Sequence, residues 1–259
     1  MQFCLKKHLS ILLLGISLTM LAENNKVTIW MIGDSITQTY QKRLAPLAGI
    51  GQALPKYCKP GVKVENRAVS GTSTKSFQDR GYWKAVEEGM KKGDYLLIKF
   101  GHNDQKKNRP AIYAEAKTLY RENLIKFIKA ARAKGAHPVL ISSMVRRIFY
   151  RSGANKGKLR PSLKDYPKYC RLVAKEHNVP LIDMNNISFS NISKMSHEES
   201  KKLYNHVPGD SKYTYWNKKT KGKGRVDNSH LNLNGAKIVA GWLVEDAKKQ
   251  KLNLAELFK

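Results

Sequence analysis

The chain has 259 residues, 41% hydrophobic and 26% charged, which gives enough apolar length for one sizeable core and excludes intrinsic disorder. Three cysteines are too few for a disulfide scaffold. Against 20 Asp and Glu stand 48 Lys and Arg, a formal net charge of +28; such a field attracts polyanions, whether nucleic acid, an anionic membrane surface or an acidic polysaccharide.

The first residues carry Lys6 and Lys7, then an almost wholly apolar run from Leu9 to Leu21, then Ala22-Glu23-Asn24-Asn25. A basic start, a short apolar stretch and a polar exit predict a signal peptide over 1–22, too short for a comfortable membrane span. The mature domain is then 23–259, secreted or periplasmic, with no stable membrane insertion after cleavage. Met20 falls where a small residue is preferred, so an uncleaved N-terminal anchor is the other reading.

Val27-Thr28-Ile29-Trp30-Met31-Ile32 is a β-branched, apolar run that ends at Gly33-Asp34-Ser35. The pattern predicts strand, tight turn and a helix from near Thr37, with Ser35 at the strand's carboxyl edge and a helix dipole beside it. Pro46, Gly49, Gly51 and Pro55 then break up any long helix. A second strand is predicted from Val62 to Val69, ending at Ser70-Gly71-Thr72, and a third from Tyr95 to Phe100, ending at Gly101-His102-Asn103-Asp104. Between them lies a helical piece from Trp83 to Met90. Helical spacing recurs from Ile112 to Lys134, before the stop at Gly135. A fourth strand follows from Val139 to Met144, a helix from Leu163 to Asn178, a fifth strand from Val179 to Met184 and a last helix from Leu231 to Lys249.

Residues 185–228 read as a polar, irregular insertion apart from a short helix between Lys194 and Tyr204. Two basic clusters fall in predicted loops: Arg146, Arg147, Arg151, Lys156, Lys158 and Arg160, then Lys212, Lys218, Lys219, Lys221, Lys223 and Arg225. Strands that alternate with helices and are apolar on both faces predict an α/β chain, a three-layer α/β/α sandwich around a five-stranded parallel sheet. Right-handed crossovers bring the loops after the strands to one rim. Cys58 and Cys170 form either one disulfide or two buried thiols. No CxxC or HExxH spacing occurs, so neither a metal nor a cofactor is predicted.

Acyl transfer by a serine requires a base, a carboxylate to orient it and donors for the oxyanion. Asp227-Asn228-Ser229-His230 offers an acid and an imidazole on one tight loop before the last helix. Ser35 and Gly71 offer backbone N–H groups, and Asn103 a side-chain amide, after strands one, two and three. Each of these is also an ordinary turn or cap residue; their placement on one rim is what selects the catalytic reading.

The four blocks Gly33-Asp34-Ser35, Val69-Ser70-Gly71, Gly101-His102-Asn103-Asp104 and Asp227-Asn228-Ser229-His230 resemble the ordered blocks of the SGNH (GDSL-like) hydrolases, with their flavodoxin-like fold. The resemblance covers nearly the whole mature chain. It implies Ser35 as nucleophile, His230 as base, Asp227 as its orienter, and Ser35, Gly71 and Asn103 as oxyanion donors. The absence of a Gly-x-Ser-x-Gly elbow argues against the α/β-hydrolase route. His102 before Asn103 is similar to the rhamnogalacturonan acetylesterase branch, which implies removal of O-acetyl groups from an acidic pectic polysaccharide, with His102 at the substrate. The basic charge fits that polymer, and nucleic acid is not the expected partner. Tyr213, Tyr215 and Trp216 are candidates to stack on sugar faces, with Tyr213 and Trp216 foremost. Two other readings fit the same residues: a lipase or thioesterase with the same machinery, and a noncatalytic polyanion-binding protein.

Overall fold

The computed structural model describes residues 27–163 and 165–259; the expected signal peptide lies outside them. Five strands, β1 Thr28–Gly33, β2 Lys63–Asn66, β3 Tyr95–Lys99, β4 His137–Ile141 and β5 Leu181–Ile182, form one sheet in the order β2-β1-β3-β4-β5. Every neighbouring pair is parallel. Successive side chains of a strand point to opposite faces, and both faces are covered. Ile29 and Met31 enter one core while Trp30 and Ile32 enter the other, which is why β1 reads as an unbroken apolar run rather than an alternating one.

The helices are α1 Ile50–Ala53, α2 Thr74–Asp79, α3 Tyr82–Gly89, α4 Arg121–Ala133, α5 Asp165–Glu176, α6 Met184–Ser193, α7 His197–Lys201, α8 Thr214–Thr220 and α9 Leu233–Lys249. Phe77, Val86, Phe127 and Cys170 bring α2 to α5 onto one face of the sheet; Ala53, Met184, Val239 and Leu243 bring α1, α6 and α9 onto the other. The result is the three-layer α/β/α sandwich. Cys58 and Cys170 belong to opposite cores and are free thiols, so the disulfide alternative falls.

Three local expectations need correcting. No helix starts near Thr37. The N–H groups of Thr37 and Gln38 close a single turn on the Asp34 carbonyl, and the carbonyls of Ile36 and Thr37 then accept from Ile50 and Gly51, where α1 begins. Those carbonyls are engaged by a distant segment, so the turn cannot continue as a helix, and Ser35 does not open a helix of its own. The helix expected from Ile112 begins later, because Glu115 caps a π-turn over Ala116–Tyr120 that leads into α4.

The 185–228 segment is also more ordered than its polarity suggests. Asp183 caps α6, Ser196 and Glu199 form a capping box on α7, and β-bridges pair Val207 with Arg225 and Tyr204 with Leu231. The segment therefore braces the loop that carries Asp227 and His230.

Candidate active site

Parallel strands deliver their following loops to one rim, and in the 2-1-3-4-5 order the crevice opens where β1 and β3 send their connections to opposite sides. Ser35 leaves β1 there. Its Oγ lies 2.9 Å from His230 Nε2, and His230 Nδ1 lies 2.8 Å from Asp227 Oδ2. A carboxylate only accepts, so in the neutral imidazole Nδ1 carries the hydrogen and Nε2 is left to accept the Ser35 hydroxyl proton.

The spacing of Asp227 and His230 has a local cause. Asp227 Oδ1 accepts from the N–H groups of Ser229 and His230 at 2.9 and 3.0 Å, curling the loop so that the imidazole lies against Oδ2. Burial pushes the Asp227 pKa up, but the bonds from His230 and Arg225 outweigh it and hold the carboxyl below the usual carboxylate range. It therefore stays ionised.

The expected oxyanion donors follow β1, β2 and β3 on the same rim. Among the described residues the backbone N–H groups of Ser35 and Gly71 have no hydrogen-bond partner. Gly71 has φ +80° with nothing near an added Cβ, so its requirement for glycine is conformational rather than spatial. Asn103 is buried; its Nδ2 donates to the Thr72 carbonyl at 2.8 Å, and its Oδ1 accepts from Lys106 Nζ at 2.6 Å. Those two contacts fix which way the amide faces.

His102 lies elsewhere than expected. It is buried, with Nδ1 3.1 Å from Lys99 Nζ and 3.6 Å from Asp34 Oδ2. Lys99 Nζ in turn sits 2.9 and 3.3 Å from the two Asp34 oxygens, and Asp34 Oδ1 accepts from the Ile36 N–H at 2.9 Å. Burial, reinforced by the Lys99 ammonium, lowers the His102 pKa to about 3, so the ring is neutral and Nδ1 accepts from Lys99. Burial would raise the Asp34 pKa, yet the Lys99 ammonium holds it well below the ordinary value. This group lies beneath the Ser35 turn and fixes its shape.

Trp216 also departs from expectation. It is 3% exposed, donates Nε1 to the carbonyls of Leu44 and Ala45, and is covered by the Arg225 guanidinium 4.3 Å from its ring. It is packing, not an open sugar platform. Tyr213 and Tyr215 are half-buried against the same cluster.

Sequence reasoning missed four cations that support the site. Arg225 bonds Asp227, Lys106 holds Asn103, and Lys99 holds Asp34. Arg147 reaches Ser200 Oγ, Asn228 Oδ1 and the His197 carbonyl at 2.9, 2.9 and 2.6 Å, pinning the acid and base loop. Only Lys99 left a readable sign, as a lone charge in the run Leu96-Leu97-Ile98-Lys99-Phe100.

A hydroxyl that can pass its proton to an oriented imidazole, beside unpaired N–H groups, serves acyl chemistry and little else. Sheet and rim together define a carboxylic ester hydrolase of the α/β/α type. Comparison with known proteins gives the particular group. Residues 31–237 match the GDSL-like Lipase/Acylhydrolase family, and the chain belongs to that family.

The rhamnogalacturonan acetylesterase RhgT of Bacillus subtilis (strain 168) is 34% identical over 230 residues, spanning 89% of this chain and 93% of RhgT. The probable rhamnogalacturonan acetylesterase YesY of the same organism is 33% identical over 226 residues, spanning 86% and 98%. Among solved structures, the Bacillus subtilis protein YxiM superposes with a TM-score of 0.69 at 25% identity over 88% of this chain. This chain spans 57% of that longer protein.

Proposed function

We propose that this protein is an exported serine esterase that removes O-acetyl groups from pectic rhamnogalacturonan. The hydrogen-bonded chain from Asp227 through His230 to Ser35 carries the reading, and the two relatives named for rhamnogalacturonan acetyl esters support the substrate. Ser35 Oγ attacks the acetyl carbonyl as its proton passes to His230 Nε2, and the oxyanion lies against the N–H groups of Ser35 and Gly71 and the Asn103 amide. As the tetrahedral species collapses, the sugar oxygen departs with the proton from Nε2 and leaves acetyl-Ser35. Water then attacks, giving one proton to His230; acetate leaves and that proton returns to Ser35 Oγ. Asp227 stays ionised throughout and stabilises the imidazolium that forms in each half-reaction.

The test is labelling with a fluorophosphonate probe together with acetate release from acetylated rhamnogalacturonan, acetylated xylan and short acyl esters. Wild type should take the label and release acetate fastest from the pectic polymer. Ser35→Ala should do neither, and a folded Ser35→Ala that released acetate at the wild-type rate would end the proposal.

A further inference from the structure

On the β3 and β4 side of the rim lies a cleft of about 700 Å³, a size that holds a small ligand. Arg146 sets its character. Its Nη2 reaches the carbonyl of His102, the residue before Asn103, at 3.4 Å. The N–H of its neighbour Arg147 donates to the carbonyl of Asn228, two residues before His230, at 2.9 Å. Arg146 thus stands between the loop of the expected oxyanion donor and the loop of the base.

The guanidinium's donors are almost unused. Nε is buried with no partner, and among the described residues no carboxylate forms an ion pair with Arg146. One long hydrogen bond does not offset the desolvation of such a group. A planar acceptor with two oxygens does, because it matches the guanidinium fork.

The remaining lining agrees with an anion. Lys107 and Arg160 are exposed on the walls. Two carboxylates, Glu115 and Asp165, share the lining and are outnumbered by the three cations Lys107, Arg146 and Arg160; Glu115 is also turned to the N–H and hydroxyl of Thr118 at 2.9 and 2.7 Å. Tyr113 and Tyr150 present ring area of the kind that packs on sugars.

We propose that this cleft is a uronate subsite, in which Arg146 binds a galacturonate carboxylate of the polymer and sets its register over Ser35. The inference rests on the pectic reading above. It adds a carboxylate requirement that the reading alone does not contain.

The experiment compares acetate release from acetylated rhamnogalacturonan oligosaccharides whose uronates are free with release from the same oligosaccharides after methyl esterification. Wild type should prefer the free acid in kcat/KM by roughly tenfold to a hundredfold, the worth of a hydrogen-bonded charge. Arg146→Met should lose most of that ratio, and Arg146→Lys should recover part of it because it keeps the charge without the fork. If Arg146→Met does not fold, the wild-type ratio still decides the matter, and Arg160→Met should reduce it by a smaller factor. Acetate release with no preference in wild type, or a preference that survives in folded Arg146→Met, overturns the subsite and leaves the pectic reading standing. No release from either form overturns both.

Discussion

Lys99→Met removes the cation from an ion pair whose side chains are 1% and 0% exposed and whose closest atoms are 2.9 Å apart. At an effective dielectric constant of about 20, unit charges at that separation attract by roughly 6 kcal/mol, which offsets the several kcal/mol each ion gives up on leaving water. Methionine fills the space of the lysine stem and supplies no charge. Asp34 would keep the Ile36 N–H at 2.9 Å and lose its main counter-charge, so we expect a loss of about 3–5 kcal/mol in unfolding free energy near neutral pH.

Equilibrium urea unfolding at several pH values supplies a sign as well as a size. In the native protein the Asp34 pKa is depressed, so its contribution is present above the unfolded value, about 3.9, and is lost as pH falls toward the folded value. In Lys99→Met burial is no longer offset and the folded pKa lies above the unfolded one. The penalty is then full at high pH and is relieved as pH falls, so the deficit against wild type should shrink from pH 8 to pH 5. Adding Asp34→Asn to Lys99→Met should restore stability instead of lowering it further. A loss under about 1 kcal/mol, or strict additivity in the double variant, would refute the reasoning.

Three further outcomes are expected. Asn103→Ala should lower kcat on a small acetyl ester by roughly a hundredfold, and Lys106→Ala, which frees the amide that Lys106 orients, by about tenfold or less with KM little changed. The His102 pKa is lowered to about 3, so between there and its unfolded value of about 6.5 only the unfolded state binds the proton; acid should therefore destabilise the fold by up to about 1.4 kcal/mol per pH unit, a slope that His102→Gln removes in urea titrations. Raising salt from 0.1 M to 1 M shortens the Debye length from about 10 to about 3 Å, so KM for the acetylated polymer should climb while a small neutral ester is unaffected, and charge reversal at the exposed Lys218, Lys219, Lys221 and Lys223 should mimic the salt.

The sheet was legible because its interior strands are buried on both faces, which leaves short apolar runs bounded by turn residues. Their ends were less so. The fourth strand was expected to run from Val139 to Met144, whereas β4 pairs from His137 to Ile141, because burial continues along the chain after the ladder stops: Met144 and Val145 are buried without belonging to the strand. The turn after Ser35 misled for a different reason. Its local composition suits a helix, and a tertiary contact to Ile50 and Gly51, more than a dozen residues away, decides otherwise. Aromatic residues gave the weakest signal, since Trp216 is as suited to packing against Leu44 and Ala45 as to stacking on a sugar, and nothing local distinguishes the two.

Charge is where sequence and structure differ most usefully. Read along the chain, Arg146, Arg147 and Arg225 belong to basic loops and would be assigned to a diffuse field. In the fold each acquires a separate task. Arg147 and Arg225 have their charge turned inward to Asn228 and Asp227, while Arg146 lines a cleft and has no carboxylate partner among the described residues. The lysines from Lys218 to Lys223 remain exposed. An inward cation acts at contact distance on one loop and is nearly insensitive to salt, whereas an exposed one acts over a Debye length and is screened. The same composition therefore supplies two separable effects. One sets the geometry of the acid and base and should appear in kcat at any ionic strength; the other gathers an anionic polymer and should appear in KM only when salt is low.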